Sequence, residues 1–185
     1  MRQHTKAKRK VAARIVATKS ADGLSPAAQA KPDPRHIAEF AYVEPWLARG
    51  DQPDQDGYRW LRAHGTELVV NLRLRSDKHN LARAAPQLKA LHVPVRNNRA
   101  PRYRQVAQWL ALCAAAERRQ APLFVHCRGG RGRTSLFCAL FRLAQGHSVE
   151  EAIEEQRRFG FEPEGLHRKQ ADFLRDFSGL LSAFE

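Results

Sequence analysis

Cys127 and Arg133 are separated by five residues within Pro122-Leu-Phe-Val-His-Cys-Arg-Gly-Gly-Arg-Gly-Arg-Thr-Ser-Leu136. Thiolate, not thiol, is the nucleophilic form of cysteine. Neighbouring cations and helix N-termini can lower a thiol pKa from about 8.5 to roughly 3.5–7.5. The planar fork of Arg133 matches two oxygens of one phosphate, which the point charge of a lysine does not. Between the two side chains, Gly129, Gly130 and Gly132 let the backbone turn tightly, so that successive N–H groups can converge on an anion. Arg128 and Arg131 lie in the same turn. This set suits attack by sulfur on phosphorus inside a preorganised oxyanion cage. The plainer reading of the same residues is a buried cysteine beside a generic anion-binding loop.

Such a loop works only if a strand delivers it and a helix receives it. Leu123, Phe124 and Val125 form a short apolar run that reads as a buried strand. Arg133 and Thr134 open an apolar helical segment through Leu136, Phe137, Ala139, Leu140 and Leu143, whose N-terminus adds partial positive charge. Thr134 is of a type that caps helices. Upstream, Asp54 is an N-cap for a helix running to about His64, with Tyr58 and Leu61 on one face and Gly65 as its stop. Residues 68–72 read as a central strand, 81–85 as helical, 91–95 as another strand and 97–101 as a loop. Residues 103–119 carry Val106, Trp109, Leu110 and Cys113 at helical spacing. Further helices fall at about 149–159 and 167–181. Strands alternating with helices predict an α/β fold with a central, mainly parallel sheet flanked by helices.

The order His126-Cys127-x5-Arg133-Thr134 resembles the signature of the cysteine-dependent protein tyrosine and dual-specificity phosphatases. The resemblance extends upstream. Arg49-x-x-Gln52-Pro53, a helix, and Gly65-x-x-x-Val69-x-Asn71-Leu72-Arg73 are similar to the opening of bacterial dual-specificity-like members. It implies one phosphatase domain over residues 36–185 that hydrolyses phosphomonoesters through a phosphocysteine, without a metal or other cofactor. The implied substrates are phosphorylated proteins or a polyphosphorylated small molecule or lipid such as a phosphoinositide. By resemblance, Cys127 attacks, His126 orients the loop, Arg133 binds phosphoryl oxygens, and Thr134 hydrogen-bonds the sulfur. Arg128, Gly129, Gly130, Arg131 and Gly132 become substrate-binding positions. Arg128 and Arg131 stand where tensin-homologue phosphoinositide phosphatases carry lysines, and Ser135 replaces a glycine frequent in tyrosine-specific members.

One departure matters. The family places a proton-donating aspartate in a loop of the type V-P-x-x-D-x-x-x-P. Here Val93-Pro-Val-Arg-Asn-Asn-Arg-Ala-Pro101 puts Asn97 at that position. Asparagine has no titratable proton, and a positioned acid is typically worth about 10²–10⁴ in rate. Asp77, Glu162 and Glu164 are carboxylates that another loop would have to supply. The alternative is a catalytically weak pseudophosphatase or phosphate-binding module.

At 185 residues and 43% hydrophobic content, the chain can build one domain with a core. No stretch approaches the ~20 apolar residues of a membrane-spanning helix. Three cysteines without framework spacing fit a reducing, cytoplasmic setting, with Cys113 and Cys138 as core residues. The net charge is +13. Part of it comes from Arg2, Lys6, Lys8, Arg9, Lys10, Arg14 and Lys19. Residues 1–35 read as a basic, flexible leader, of a composition that suits contact with an anionic membrane or nucleic acid.

Overall fold

A computed structural model describes residues 36–182 of the chain. The basic leader lies outside the described residues. The described part is one five-stranded sheet with three helices' worth of segments before its last strand and three after it. In chain order the elements are β1 (Ala41–Glu44), β2 (Leu47–Gly50), α1 (Gln55–Ala63), β3 (Leu68–Asn71), α2 (Lys78–Ala84), β4 (Lys89–His92), α3 (Tyr103–Arg119), β5 (Leu123–His126), α4 (Arg133–Ala144), α5 (Val149–Arg157) and α6 (Arg168–Ser182). Strand order is β1-β2-β5-β3-β4, and only the β1–β2 hairpin pair is antiparallel. The expected α/β fold with a mainly parallel sheet is therefore present.

β5 is the central strand. Leu123 and Val125 face the larger core with Leu47, Val70, Trp109 and the apolar face of α4, whereas Phe124 faces the smaller core with Tyr58, Leu61 and Leu81. This alternation follows from the period of two along a strand. A strand packed on both faces has no polar side, which explains the unbroken Leu-Phe-Val run. The indole Nε1 of Trp109 donates to the Phe137 carbonyl at 2.7 Å and ties α3 to α4. Cys113 and Cys138 are buried in the larger core, as their apolar surroundings predicted. Burial pushes both thiols up, Cys138 to about 11.

Local signals set the ends of α1. The Asp54 side chain accepts from the Gly57 N–H at 2.7 Å, and α1 ends at His64 before Gly65 turns with φ +87°. The predicted strand 91–95 is shifted: the ladder runs over Lys89–His92. The regular pairing with β3 breaks after Val93, because the Val95 N–H bonds to the Leu72 carbonyl and not to Arg73, the next acceptor in register. Val93 and Val95 remain buried and their N–H groups still bond to Asn71 and Leu72 carbonyls at 2.9 and 3.1 Å. No helix of the described residues is long and apolar enough to cross a membrane.

Parallel register aligns Gly50, His126 and Asn71 across the sheet. The loops leaving β2, β3, β4 and β5 thus gather at one edge, at the carboxyl ends of the strands.

Candidate active site

Cys127 is the first residue after β5 and is 3% exposed. The loop that follows lands on α4, whose N-cap is Gly132 and whose first residue is Arg133. Among the described residues, no side chain caps this helix end. Its first-turn N–H groups therefore lack intrahelical acceptors, and an anion is a natural partner for them. Thr134 is one position further in, so it is not the cap that its residue type predicted. Its hydroxyl is buried and makes no hydrogen bond among the described residues. The bond to the Cys127 sulfur implied by the family resemblance is not formed here.

Two glycines are demanded by their surroundings. Gly130 has φ +70°, and a Cβ there would stand 3.0 Å from the Asp51 nitrogen and the Gly50 carbonyl carbon. At Gly132 a Cβ would meet the His167 ring at 2.7 Å. Gly129 is exposed and a Cβ on it would meet open space.

Arg133 is 7% exposed, and its Nη1 donates to the Val95 carbonyl at 3.2 Å. Arg133 is thereby braced by the loop that carries Asn97. Burial pulls its pKa below the ordinary arginine value, while the adjacent Cys127 opposes that shift. The five-residue spacing does bring the two side chains together.

His126 is fully buried at the end of β5. Its Nδ1 donates to the Cys127 carbonyl at 3.0 Å. Nε2 lies 3.3 Å from Asp77 Oδ2 without the alignment of a hydrogen bond, a charge contact only. Burial lowers the His126 pKa, and the Asp77 charge opposes it. Asp77 is itself gripped by the Tyr58 hydroxyl on Oδ2 and by Asn71 Nδ2 on Oδ1 at 2.7 Å. Asp77 is thus 7% exposed and held between Tyr58, Asn71 and His126. Glu164 is exposed and paired with Arg157. Glu162 lies beside Gly165, with its backbone N–H donating to His167 Nδ1 at 2.9 Å.

The two remaining loop arginines differ. Arg131 is 63% exposed and reaches outward to Glu39 at 3.3 Å. Arg128 is exposed, with its carbonyl held by the Gln52 N–H at 3.2 Å. Asn97 is exposed and lines a groove of about 440 Å³ together with Arg99, Leu166, Arg168 and Lys169. That groove runs from the Asn97 loop to the start of α6, and Gln170 Nε2 bridges the two by donating to the Arg99 carbonyl at 3.3 Å.

Sequence reasoning missed the supports. Arg49 and Gln52 both hold carbonyls of the signature loop, Gly130 and Arg128 respectively, while Gln52 Oε1 accepts from Arg73. Ser135 accepts from Arg49 Nη1 at 3.2 Å, which gives the serine a task a glycine would lack. The available signal was the Arg49-x-x-Gln52-Pro53 spacing. Among the described residues, no three His, Cys, Asp or Glu side chains converge as a metal site. The donors gathered here are cationic or N–H, a set that suits an anion.

Residues 32–176 match the family described as "DSP-PTPase phosphatase fused to NAD+ Kinase". The chain is 30% identical over 141 residues to the dual specificity protein phosphatase TpbA of Pseudomonas aeruginosa, covering 75% of this chain and 63% of that protein. The crystal structure of a P. aeruginosa TpbA variant in complex with phosphotyrosine superposes with a TM-score of 0.64 at 27% identity, over 87% of this chain and 98% of that one. A third relative is NAD kinase 2 of Arabidopsis thaliana chloroplasts, 25% identical over 120 residues, which are 60% of this chain and 12% of that protein. With the family match spanning most of its length and the loop geometry in agreement, the chain belongs to the DSP-PTPase family, within the cysteine-dependent dual-specificity and tyrosine phosphatase superfamily.

Proposed function

We propose that this chain is a phosphatase that hydrolyses phosphomonoesters through a phosphocysteine. The observation that carries the proposal is the meeting of Cys127 and Arg133 at the uncapped N-terminus of α4. Cys127 thiolate attacks phosphorus, the S–P bond forms as the P–O bond to the leaving group breaks, and the leaving oxygen takes up a proton from solvent water. Water then attacks the phosphocysteine, releasing phosphate and regenerating the thiolate. Arg133 and the loop N–H groups stabilise the charge on the equatorial oxygens. His126, held from behind by Asp77, orients the Cys127 carbonyl and so the start of the loop.

A protein phosphotyrosine, phosphoserine or phosphothreonine is the first substrate class. Support comes from the similarity to TpbA, whose variant was solved with phosphotyrosine. A substrate with additional anionic groups, such as an inositide headgroup, is the second reading, and the cationic groove of Arg99, Arg168 and Lys169 favours it. Arg131 adds little to that reading while it is engaged with Glu39.

The test is turnover of an aryl phosphate series of graded leaving groups, with Cys127→Ser as control. The control should abolish turnover. Iodoacetate should alkylate Cys127 at about pH 6 well before Cys113 or Cys138, and inorganic phosphate should protect it. Three thiols of equal reactivity, indifferent to phosphate, would sink the nucleophile assignment. Because Asn97 supplies no proton, rates should fall steeply as the leaving-group pKa rises. Asn97→Asp should recover poor leaving groups by up to roughly 10²–10⁴. Robust thiolate chemistry with negligible turnover on every ester would instead favour the phosphate-binding reading.

A further inference from the structure

Arg49 occupies a position made for an apolar side chain. It lies on β2 between β1 and β5, on the same face as Leu47, and is 0% exposed. Burying a cation without a counter-ion costs several kcal/mol. Its partners are neutral acceptors: the Gly130 carbonyl to Nη2, and Ser135 Oγ and Gln156 Oε1 to Nη1. The guanidinium carbon stacks 3.9 Å from the centre of the Phe159 ring, and among the described residues Nε has no hydrogen-bond partner. Among the described residues no carboxylate lies within ion-pair distance of it. Neutral acceptors hold the group in place without cancelling its charge. Stability alone would be served better by a methionine of similar volume.

We propose that Arg49 is a positioning residue for the phosphoryl reaction, fixing the signature loop from beneath and adding a second buried positive charge under the bound anion. The proposal rests on the phosphocysteine reading of Cys127. A trans peptide is planar, with its C=O and N–H pointing in opposite directions. Anchoring the Gly130 carbonyl to Arg49 below the loop therefore turns the Arg131 N–H away from the sheet. Fixing that dipole before substrate arrives removes reorganisation from the reaction. The glycine contact with Gly50 and Asp51, and the Gln52 N–H to Arg128 carbonyl bond, pin the same loop from β2.

The charge has a direction of action too. Burial pulls the Arg49 pKa down, and the negative charge that Cys138 and Cys127 carry as thiolates opposes that shift, so sulfur and guanidinium are within each other's field. Cys127 is thus within the field of both Arg133 and Arg49, and His126, the residue before it, lies against Asp77.

The experiment compares Arg49→Met and Arg49→Lys with the unmodified chain. It follows the pH profile of Cys127 alkylation by uncharged iodoacetamide, protection by inorganic phosphate, kcat and KM on an aryl phosphate, and the melting midpoint. Arg49→Met should keep or raise the midpoint, move the alkylation profile up by about one pH unit, and weaken phosphate protection roughly tenfold. Arg49→Lys keeps the charge but not the fork: the alkylation profile should return towards that of the unmodified chain, while kcat stays roughly tenfold low at little-changed KM.

A folded Arg49→Met protein with an unaltered alkylation profile and phosphate protection overturns the proposal. If that variant does not fold, Arg49→Lys decides, and full kcat in it overturns the positioning role. The unmodified chain separates the two levels. If its Cys127 reacts like an ordinary thiol and phosphate gives no protection, the phosphocysteine reading fails and takes this proposal with it. If both properties are present and the variants share them, only the role of Arg49 fails.

Discussion

The two ends of α4 treat charge in opposite ways. At the C-terminal end, Arg142 is met by Glu44 on Nη1, by Glu155 at 2.7 Å on Nε and by the Val43 carbonyl at 2.8 Å. The negative end of the helix dipole also favours a cation there. At the N-terminal end, among the described residues, Arg133 bonds to the Leu72 and Val95 carbonyls beside Cys127 and Arg49 bonds to neutral oxygens, on top of the positive end of the same dipole. The first arrangement is self-contained and serves the fold. The second has no carboxylate partner among the described residues. On the proposed reading, the absence of a carboxylate is what sets these arginines apart from Arg142 and suits them to an anion.

The largest effect expected from this comparison is at Arg133. Arg133→Lys should lower kcat/KM on an aryl phosphate by about 10²–10³, as loss of an oxyanion donor does, with little change in melting midpoint. Arg142→Met should do the reverse. It strands Glu44 and Glu155 without their cation, and a loss of about 1–3 kcal/mol in denaturant unfolding should leave the folded protein's turnover near that of the unmodified chain. If the two variants show the same mixture of lost activity and lost stability, the division between the ends of α4 is wrong.

The smallest effect sharpens the picture below the loop, at Asp51. Burial, with help from Glu39 and Asp54, raises its carboxyl from an ordinary 3.8 to about 6, and its Oδ1 makes no hydrogen bond. The folded chain therefore holds a proton that the unfolded chain has released between about pH 4 and pH 6, and stability falls as pH rises through that window. Above it the cost is constant, and reduced because the group is half exposed to solvent. Asp51→Asn should raise the melting midpoint by about 2–5 °C at pH 7.5 and leave it unchanged at pH 4. An equal gain at both pH values would assign the effect to something other than the carboxyl charge.

The amino-acid sequence by itself determined what depends on near neighbours. Cys127, the glycines and Arg133 form one continuous turn, so their spacing was enough to predict their meeting. The cap at Asp54 and the helix over Tyr103–Arg119 were equally legible, because hydrogen bonds four residues apart and a period of 3.6 are written locally. The apolar run of β5 disclosed a buried parallel strand. Tertiary structure alone decided the rest. The end of β4 was set by its pairing with β3, not by the Leu91-x-Val93-x-Val95 alternation. The helix cap fell on Gly132 and not Thr134, at a position where a Cβ would meet the His167 ring. Asp77 became a support for His126 when α1 brought Tyr58 over it, nineteen residues away. Arg49 reaches Ser135 and Gln156 across 86 and 107 residues. No local pattern reports such distances, since the contact exists only once a two-faced sheet has carried β2 beside β5 and set the helices against them.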